Sequence, residues 1–357
     1  MPGFPDAYGD ALWRRAGATL GIRIEREAHA RNNLVPYDGR PPCATFASCN
    51  ICPIGAQYSA DWHVAKAEQT GRCILLADTV VRRLEADAAG RIRTVHATAR
   101  DGTQHEVQAP TVVLAAHAIE SARLLLLSKI GNGDQVGRHL MEHWEHSGTG
   151  RSEERGYPMR VGFPVLTSFH YYDAERDRRG AFKVDFRDAV NPHGDLGRRP
   201  GLWGPAMARY DCENFGRLRR IEINTEHQPN PESRVTLDPT RVDMFGDPAP
   251  NIHFALAEID HATMDRARAV IGEILGAGGL RDIEVLSAFH GAAHHMGTCR
   301  MSATPETGVV DRNSRVHGTT NLFVASSAIY PTGGAVPPTL TIAALALRLA
   351  DHLAARP

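Results

Sequence analysis

Hydrophobic and polar positions recur along the chain with two periods, and these periods predict where helices and strands lie. Helical spacing runs through GDALWRRAGATLG, ADWHVAKAEQTG, IESARLLLLS, LAEIDHATMDRARAVIGEILGAGG and PTLTIAALALRLADHLAA. Glycine closes three of these stretches and a proline opens the last, as expected at helix ends and in first turns. Period-two alternation predicts three successive strands in CILLADTVVRRLEA, RIRTVHATA and HEVQA.

Two short runs, TVVLAA and NLFVASSAIYP, are continuously apolar. Such runs are typical of strands buried on both faces, as in a parallel sheet covered by helices. Between them, from about 136 to 257, short alternating segments such as RRIEINTEH predict an antiparallel sheet with one solvent-exposed face. The predicted fold class is therefore α/β plus α+β, with α/β pieces at both ends of the chain and an antiparallel middle.

The composition is that of a globular protein large enough for two domains. The 357 residues are 42% hydrophobic and 23% charged, with a formal net charge of −1. This balance gives no basic surface for nucleic acid or for an anionic membrane. No apolar run is long enough to span a bilayer, and the start MPGFPDAYGD lacks the features of a signal peptide. The sequence leaves a periplasmic and a cytoplasmic location open.

The strongest candidate chemistry lies in HHMGTCRM, where His294 and His295 precede Gly297. A glycine turn there would present His294 with one ring nitrogen accessible. An imidazole is the usual general base for removing a proton from an alcohol. A histidine held by hydrogen bonds for structural reasons fits the same pattern, so both interpretations stay open. A metal site is weaker still, because no third ligand stands at a characteristic spacing beside the pair.

Three cysteines lie close together in a loop rich in proline, glycine and asparagine: Cys43, Cys49 and Cys52, followed by Pro53. Clustered thiolates can hold a soft metal or an iron–sulfur cluster, and a proline after the last cysteine recurs in ferredoxin-type runs. Three ligands would suit a three-iron cluster. They would equally suit a loop fixed by buried cysteines, and the spacing does not decide between the two.

Four motifs, in order along nearly the whole chain, resemble the glucose–methanol–choline (GMC) family of flavin oxidoreductases. They are TVVLAAHAIESARLLLLS, VGRHLMEH, QPNPESRVTLDP and the C-terminal stretch that begins HHMGTCRM. The loop PYDGRPPC…C…CPIGA is similar to that of the bacterial glucose-type sugar dehydrogenases of this family, with its last spacing one residue shorter. The resemblance implies an incomplete FAD-binding Rossmann-like domain and an antiparallel-sheet substrate domain.

The resemblance implies FAD-dependent oxidation of a sugar or another alcohol, with hydride transfer to the flavin and an electron acceptor other than oxygen. His294 would be the general base, and His295 would replace a partner residue whose position holds Pro337, which has no side-chain donor. The three cysteines would hold a three-iron four-sulfur cluster, and a small subunit and a cytochrome or quinone would be partners. The alternative is a catalytically impaired iron–sulfur electron-transfer or assembly subunit, which Pro337 would allow.

The resemblance also implies a set of FAD-binding residues. The backbone of Val81 would hold the adenine, and the helix that begins at Pro338 would point its N-terminal amides at the flavin. The full set is Val81, Ala115, Ala116, His117, Ala325, Ser326, Pro338, Thr339 and Leu340. Each of these residues could equally serve packing alone.

The implied domains are a partial FAD-binding domain at 1–135 with the cysteine loop at 30–57, a substrate domain at 136–287, and a return to the FAD domain at 288–357. No glycine-rich turn between a strand and a helix is found for the FAD pyrophosphate, since the nearest match, GNGDQVG, follows a helix. We therefore expect the chain to begin downstream of such a segment. Alone it should bind FAD weakly and be poorly soluble, and adding the segment should restore both properties.

Overall fold

The computed structural model describes residues 4–6, 9–44, 52–156, 166–189, 201–286 and 290–356. Its helices are α1 (Asp10–Leu20), α2 (Asp61–Gln69), α3 (His117–Ser128), α4 (Gly204–Asn214), α5 (Glu258–Ala277) and α6 (Thr339–Ala354), with a short 3-10 helix at Ser327–Ile329. Its strands are β1 (Glu25–Arg26), β2 (Thr79–Ala86), β3 (Ile92–Ala99), β4 (Gln104–Val107), β5 (Val112–Leu114), β6 (Trp144–Arg151), β7 (Leu166–Ser168), β8 (Phe182–Ala189), β9 (Leu218–Thr225), β10 (Arg234–Val242), β11 (Pro248–His253), β12 (Arg281–Val285), β13 (His290–Gly291) and β14 (Leu322–Val324). The helices that the pattern predicts are present, and α4 is one that it does not predict. Among the described residues, no helix is both long and apolar enough to cross a membrane.

Packing groups these elements into two compact units, each made of three separate stretches of chain. The first unit comprises residues 1–74, 144–225 and 262–290. The second comprises residues 75–143, 226–261 and 291–357. This grouping differs from the three consecutive segments that the resemblance implies, because residues 1–74 belong to the unit that holds the large antiparallel sheet.

The first unit is built on a seven-stranded sheet in the order β1-β7-β8-β9-β6-β12, with β13 paired to β6. One face carries apolar side chains such as Phe186 and Ile221, which share a hydrophobic core with Trp13 of α1 and with the apolar side of α5. Helix α5 lies so close to β6 that a Cβ at Gly148 would meet the side chain of Ile271 at 2.3 Å. The sheet is therefore anchored by the amphipathic helix that the sequence predicts.

The opposite face of this sheet is ionic yet buried, so the prediction of a solvent-exposed face is wrong. Lys183 in β8 is 2% exposed, and its Nζ lies 3.0 Å from a carboxylate oxygen of Glu27 and 3.0 Å from one of Asp185. Glu222 in β9 is also buried and accepts from Arg187 Nε at 2.6 Å. Alternating polar positions indicate which side chains share a face, but they do not indicate what covers that face.

The second unit contains the parallel pair that the two apolar runs predict. Leu322–Val324 of β14 pairs in parallel with Val112–Leu114 of β5, and α3 follows β5 after two residues. Strand β14 is buried throughout, whereas Val113 in β5 is 41% exposed. The unit also holds the antiparallel sheet β2-β3-β4 and the hairpin β10-β11. The predicted class of α/β plus α+β is confirmed.

Candidate active site

Separate segments of the second unit meet around the histidine pair. Met141 N–H donates to Met296 O at 2.9 Å, and Met296 N–H donates to Met141 O at 3.0 Å, which joins VGRHLMEH to HHMGT. The 3-10 helix is joined to the same stretch, because Gly297 N–H donates to Ser327 O at 3.1 Å. The backbone that carries the two histidines is therefore held by two other segments.

Gly297 makes the close turn that follows the histidine pair. Its φ is +86°, in the left-handed region that favours glycine. A Cβ at this position would lie 1.9 Å from the carbonyl oxygen of His139. Only glycine fits here, so the turn and the close approach of the two segments depend on the same residue.

His294 faces His143, the last residue of VGRHLMEH. Their Nδ1 atoms are 3.1 Å apart, and their rings meet edge to face. In such a contact one Nδ1 carries a hydrogen and the other accepts it. When the hydrogen belongs to His294, its basic lone pair is on Nε2. This is the tautomer in which His294 can take up a proton at Nε2.

Glu142 is buried beside both histidines of the pair. Its Oε1 accepts the N–H of His294 at 2.7 Å and the N–H of His143 at 2.8 Å. Its Oε2 is 3.2 Å from Nε2 of His295. Burial raises the pKa of Glu142, against the lowering effect of the N–H groups that point at it. Burial also lowers the pKa of His295. For both side chains, burial disfavours the charged form.

The sequence predicts His294 and His295 as site residues. The structure brings them together with Glu142 and His143, which the sequence analysis did not predict. Glu142 precedes His294 by 152 positions, and His143 follows Glu142 directly. Leu140 and Met141 are fully buried, so the polar residues after them are carried into the interior. An acid and a histidine that directly follow such apolar residues, as in LMEH, are the feature that could have identified them.

His117 connects the histidine pair with the end of β5. Its ring meets that of His295 edge to face, with centroids 5.1 Å apart. Burial and the charge of His295 lower the pKa of His117. Ala115 and Ala116, just before it, are small and exposed at the carboxyl end of the strand. Ligands of α/β proteins bind at this end of parallel strands.

The end of β14 adds the next part of this edge. Ala325 N–H donates to Leu114 O at 2.7 Å, which places Ala325 beside the end of β5. The hydroxyl oxygen of Ser326 accepts the N–H of Ala328 at 3.2 Å and so caps the 3-10 helix. Small residues thus lie at adjacent strand ends, exposed at Ala115 and Ala116 and partly buried at Ala325 and Ser326, and they fit part of a FAD site, as the resemblance implies.

Helix α6 offers a further element of such a site. Its N-cap residue, Pro338, makes no side-chain cap hydrogen bond, and Thr339 and Leu340 after it are exposed. First-turn N–H groups have no partner within a helix, so they can bind an anion or a carbonyl oxygen. Val81 lies in β2 opposite Ala97 and is partly exposed, which leaves it accessible to a ligand. The described residues thus fit part of a FAD site, while the sequence shows no glycine-rich turn for the pyrophosphate.

Two of the three clustered cysteines, Cys43 and Cys52, are partly buried, and Cys49 lies outside the described residues. Cys52 Sγ accepts the N–H of Gln57 at 3.5 Å, and a guanidinium nitrogen of Arg31 is 4.0 Å from Cys43 Sγ. Burial raises the pKa of Cys52, but backbone N–H groups that point at its sulfur bring it below the usual value. The N–H groups around Cys52 therefore favour its thiolate, the form that binds metals. Within the described part of the chain, no group of three potential metal-ligating side chains is assembled.

Comparison with known proteins identifies the protein family of this chain. Two family patterns described as GMC oxidoreductase match residues 8–145 and 229–346. The chain belongs to the GMC oxidoreductase family, which confirms the resemblance drawn from its motifs.

Similar proteins include enzymes named for sugars and diols. The chain is 31% identical to the fructose dehydrogenase large subunit of Gluconobacter japonicus, over 99% of this chain and 67% of that protein. It is 33% identical to 2-methyl-1,2-propanediol dehydrogenase of Mycolicibacterium austroafricanum, over 72% of this chain and 50% of that protein. The chain therefore spans about half to two thirds of the length of these relatives.

A solved structure shows the same fold. Pyridoxine 4-oxidase from Mesorbium loti superposes with a TM-score of 0.67 and 21% identity, covering 99% of this chain and 72% of that one. The predicted fold class, α/β plus α+β, is thereby confirmed at the level of architecture.

Proposed function

We propose that this protein is a FAD-dependent dehydrogenase that oxidises a hydroxyl group of a sugar or another alcohol and passes the electrons to an acceptor other than oxygen. The observation that carries the proposal is the cluster of His294, His143, Glu142 and His295 in a chain of the GMC oxidoreductase family. Relatives named for fructose and for a diol support a hydroxylated substrate.

Bound FAD supplies the acceptor for the hydride that leaves the carbinol carbon. In the proposed reaction His294 takes the hydroxyl proton at Nε2, in the tautomer whose Nδ1–H donates to Nδ1 of His143, 3.1 Å away. His294 becomes positively charged in this step. The buried carboxylate of Glu142, bonded to the backbone N–H of His294 at 2.7 Å, favours that charge.

The ends of the two parallel strands and the start of α6 would hold the cofactor. Ala115, Ala116 and His117 would contact it at the carboxyl end of β5, with Ala325 and Ser326 at the end of β14. Pro338, Thr339 and Leu340 begin α6. The backbone N–H groups of Thr339 and Leu340 would face oxygen atoms of the cofactor, because a helix N-terminus is electropositive. The backbone of Val81 would contact the adenine.

Anaerobic mixing of the FAD-loaded protein with fructose, glucose, a vicinal diol and simple alcohols tests the proposed activity. At least one of them should bleach the oxidised-flavin absorbance and yield one carbonyl product per flavin. Quinones and redox dyes should then reoxidise the flavin faster than oxygen does. If dithionite reduces the flavin but none of these hydroxyl compounds does, the proposed activity is wrong.

We also propose that Cys43, Cys49 and Cys52 hold an iron–sulfur cluster that carries electrons from the flavin toward a cytochrome or quinone. The N–H groups that point at Cys52 Sγ support it, because they favour the thiolate that binds metals. A small subunit would complete the assembly, as suggested by the relative that is named a large subunit.

Protein purified without oxygen should contain about three irons per chain, measured by metal analysis and electron paramagnetic resonance. Cys43→Ser and Cys52→Ser should lose this iron, while Cys73→Ser, at an exposed cysteine outside the trio, should retain it. Iron-free protein with full dye-linked activity would reduce the trio to loop scaffolding. Iron in a protein whose flavin no alcohol reduces would favour the alternative, an electron-transfer subunit without catalysis.

A further inference from the structure

Glu142 contacts both members of the histidine pair from within the protein interior. It is 2% exposed, and its two carboxylate oxygens have different partners. Oε1 accepts the backbone N–H of His294 at 2.7 Å, and Oε2 is 3.2 Å from the ring nitrogen Nε2 of His295. One side chain therefore holds the backbone of the first histidine and the ring of the second.

The carboxylate of Glu142 has little room to change its orientation. A Cβ on Gly291 would lie 2.8 Å from Oε2, so the backbone packs directly against this oxygen. Directly before Glu142 in the chain, Met141 exchanges backbone hydrogen bonds of 2.9 and 3.0 Å with Met296. Packing of this kind fixes the rotamer of a buried side chain. The carboxylate of Glu142 therefore contacts the two histidines from a fixed position.

The partners of Glu142 match an ionised carboxylate. Oε1 accepts the N–H groups of His143 and His294, and the N–H of Ala293 also points at the group. An ionised Oε2 accepts the hydrogen of His295 Nε2, which puts the lone pair of that ring on Nδ1. Nδ1 of His295 is buried and has no hydrogen-bond partner among the described residues, so the contact with Glu142 is what selects the tautomer.

We propose that Glu142 is a positioning residue that fixes the tautomer and orientation of His295 and holds the backbone of His294 in the geometry of a base. The effect on catalysis rests on the proposed function, whereas the tautomer of His295 can be measured without any reaction. Glu142 acts through the two histidines, as a carboxylate that orients an imidazole does in other enzymes.

Glu142→Gln is the most direct test, because glutamine has nearly the same shape. Its amide oxygen can still accept the backbone N–H groups of His143 and His294, but its NH₂ group must donate to Nε2 of His295. We expect nitrogen-15 NMR of the imidazoles to show His295 change from the Nε2–H to the Nδ1–H tautomer. The rate constant of flavin reduction should fall at least about tenfold, with FAD retention and thermal unfolding near those of the parent protein.

The pH profile adds a measurement that a purely structural role would not change. Removal of a negative charge destabilises a nearby imidazolium, so the acid limb of the flavin-reduction profile should move to lower pH in Glu142→Gln. The other titratable groups near the pair are His143, His227, His117 and Glu120, and this variant leaves all four in place. Glu142→Asp keeps the charge on a shorter side chain, so its rate should fall while its acid limb stays in place.

Glu232→Gln is the matched control, because it removes an exposed carboxylate of the same unit that pairs with Arg138 at 3.1 Å. It should leave the tautomer, the rate and the profile unchanged. The inference is overturned if His295 has the Nδ1–H tautomer in the parent protein, or if Glu142→Gln changes the tautomer without changing flavin reduction. If no alcohol reduces the flavin of the parent protein, the proposed function fails, and the NMR measurement alone then decides whether Glu142 sets the tautomer.

Discussion

Replacement of His294 by alanine should lower the rate constant of flavin reduction by at least about 10²-fold, the low end for loss of a positioned base. The alcohol would then have to release its proton to water or to a less well-placed group. Because the backbone N–H of His294 still donates to Glu142 after this substitution, the fold and FAD binding should change little. Stopped-flow bleaching of the FAD-loaded variant under anaerobic conditions measures the effect.

His253→Ala provides the control, because His253 is an exposed histidine on β11 of the same unit. Its flavin reduction should match that of the parent protein. His295→Ala should have a smaller effect than His294→Ala, unless His295 replaces the partner residue whose position holds Pro337. Near-parental flavin reduction in His294→Ala would show that another group is the base.

Replacement of Gly297 by alanine should lower the free energy of unfolding by at least about 2 kcal/mol, from backbone strain and steric overlap together. The residue has φ +86°, and an added Cβ would lie 1.9 Å from the carbonyl oxygen of His139. Relief of this overlap must move the turn that carries His294 and His295, so flavin reduction should fall as well. Chemical denaturation with and without FAD measures the stability change.

Gly246→Ala separates the two causes of this loss. Gly246 has nearly the same φ, +84°, but nothing lies within 4 Å of an added Cβ. It should therefore show only the cost of the left-handed backbone, about 1 kcal/mol, and keep its activity. Equal losses at the two positions would mean that the contact between Gly297 and His139 does not hold the turn.

The family, five of the six described α-helices and the histidine pair could be predicted from the sequence, because each depends on short motifs or on periodicity within a short stretch of chain. Helix α1 ends before Gly21, which has φ +67°, and α6 begins after Pro338, as the positions of glycine and proline indicate. The five consecutive residues HHMGT indicate His294 and His295 as candidate site residues. Period and local residue chemistry are enough for such predictions, since they depend on the preferences of the backbone within one or two turns.

Other features depend on contacts between distant parts of the chain, and only the tertiary structure decides them. The ionic face of the large sheet is buried, although its alternating sequence matches that of an exposed strand, because burial depends on what packs against a face. Glu142 reaches His294 across 152 positions, through a two-way backbone bridge between Met141 and Met296. The residues around Glu142 do not predict a contact with His294, and those around His294 do not predict one with Glu142. The register between the two segments is set by the packing of the whole unit.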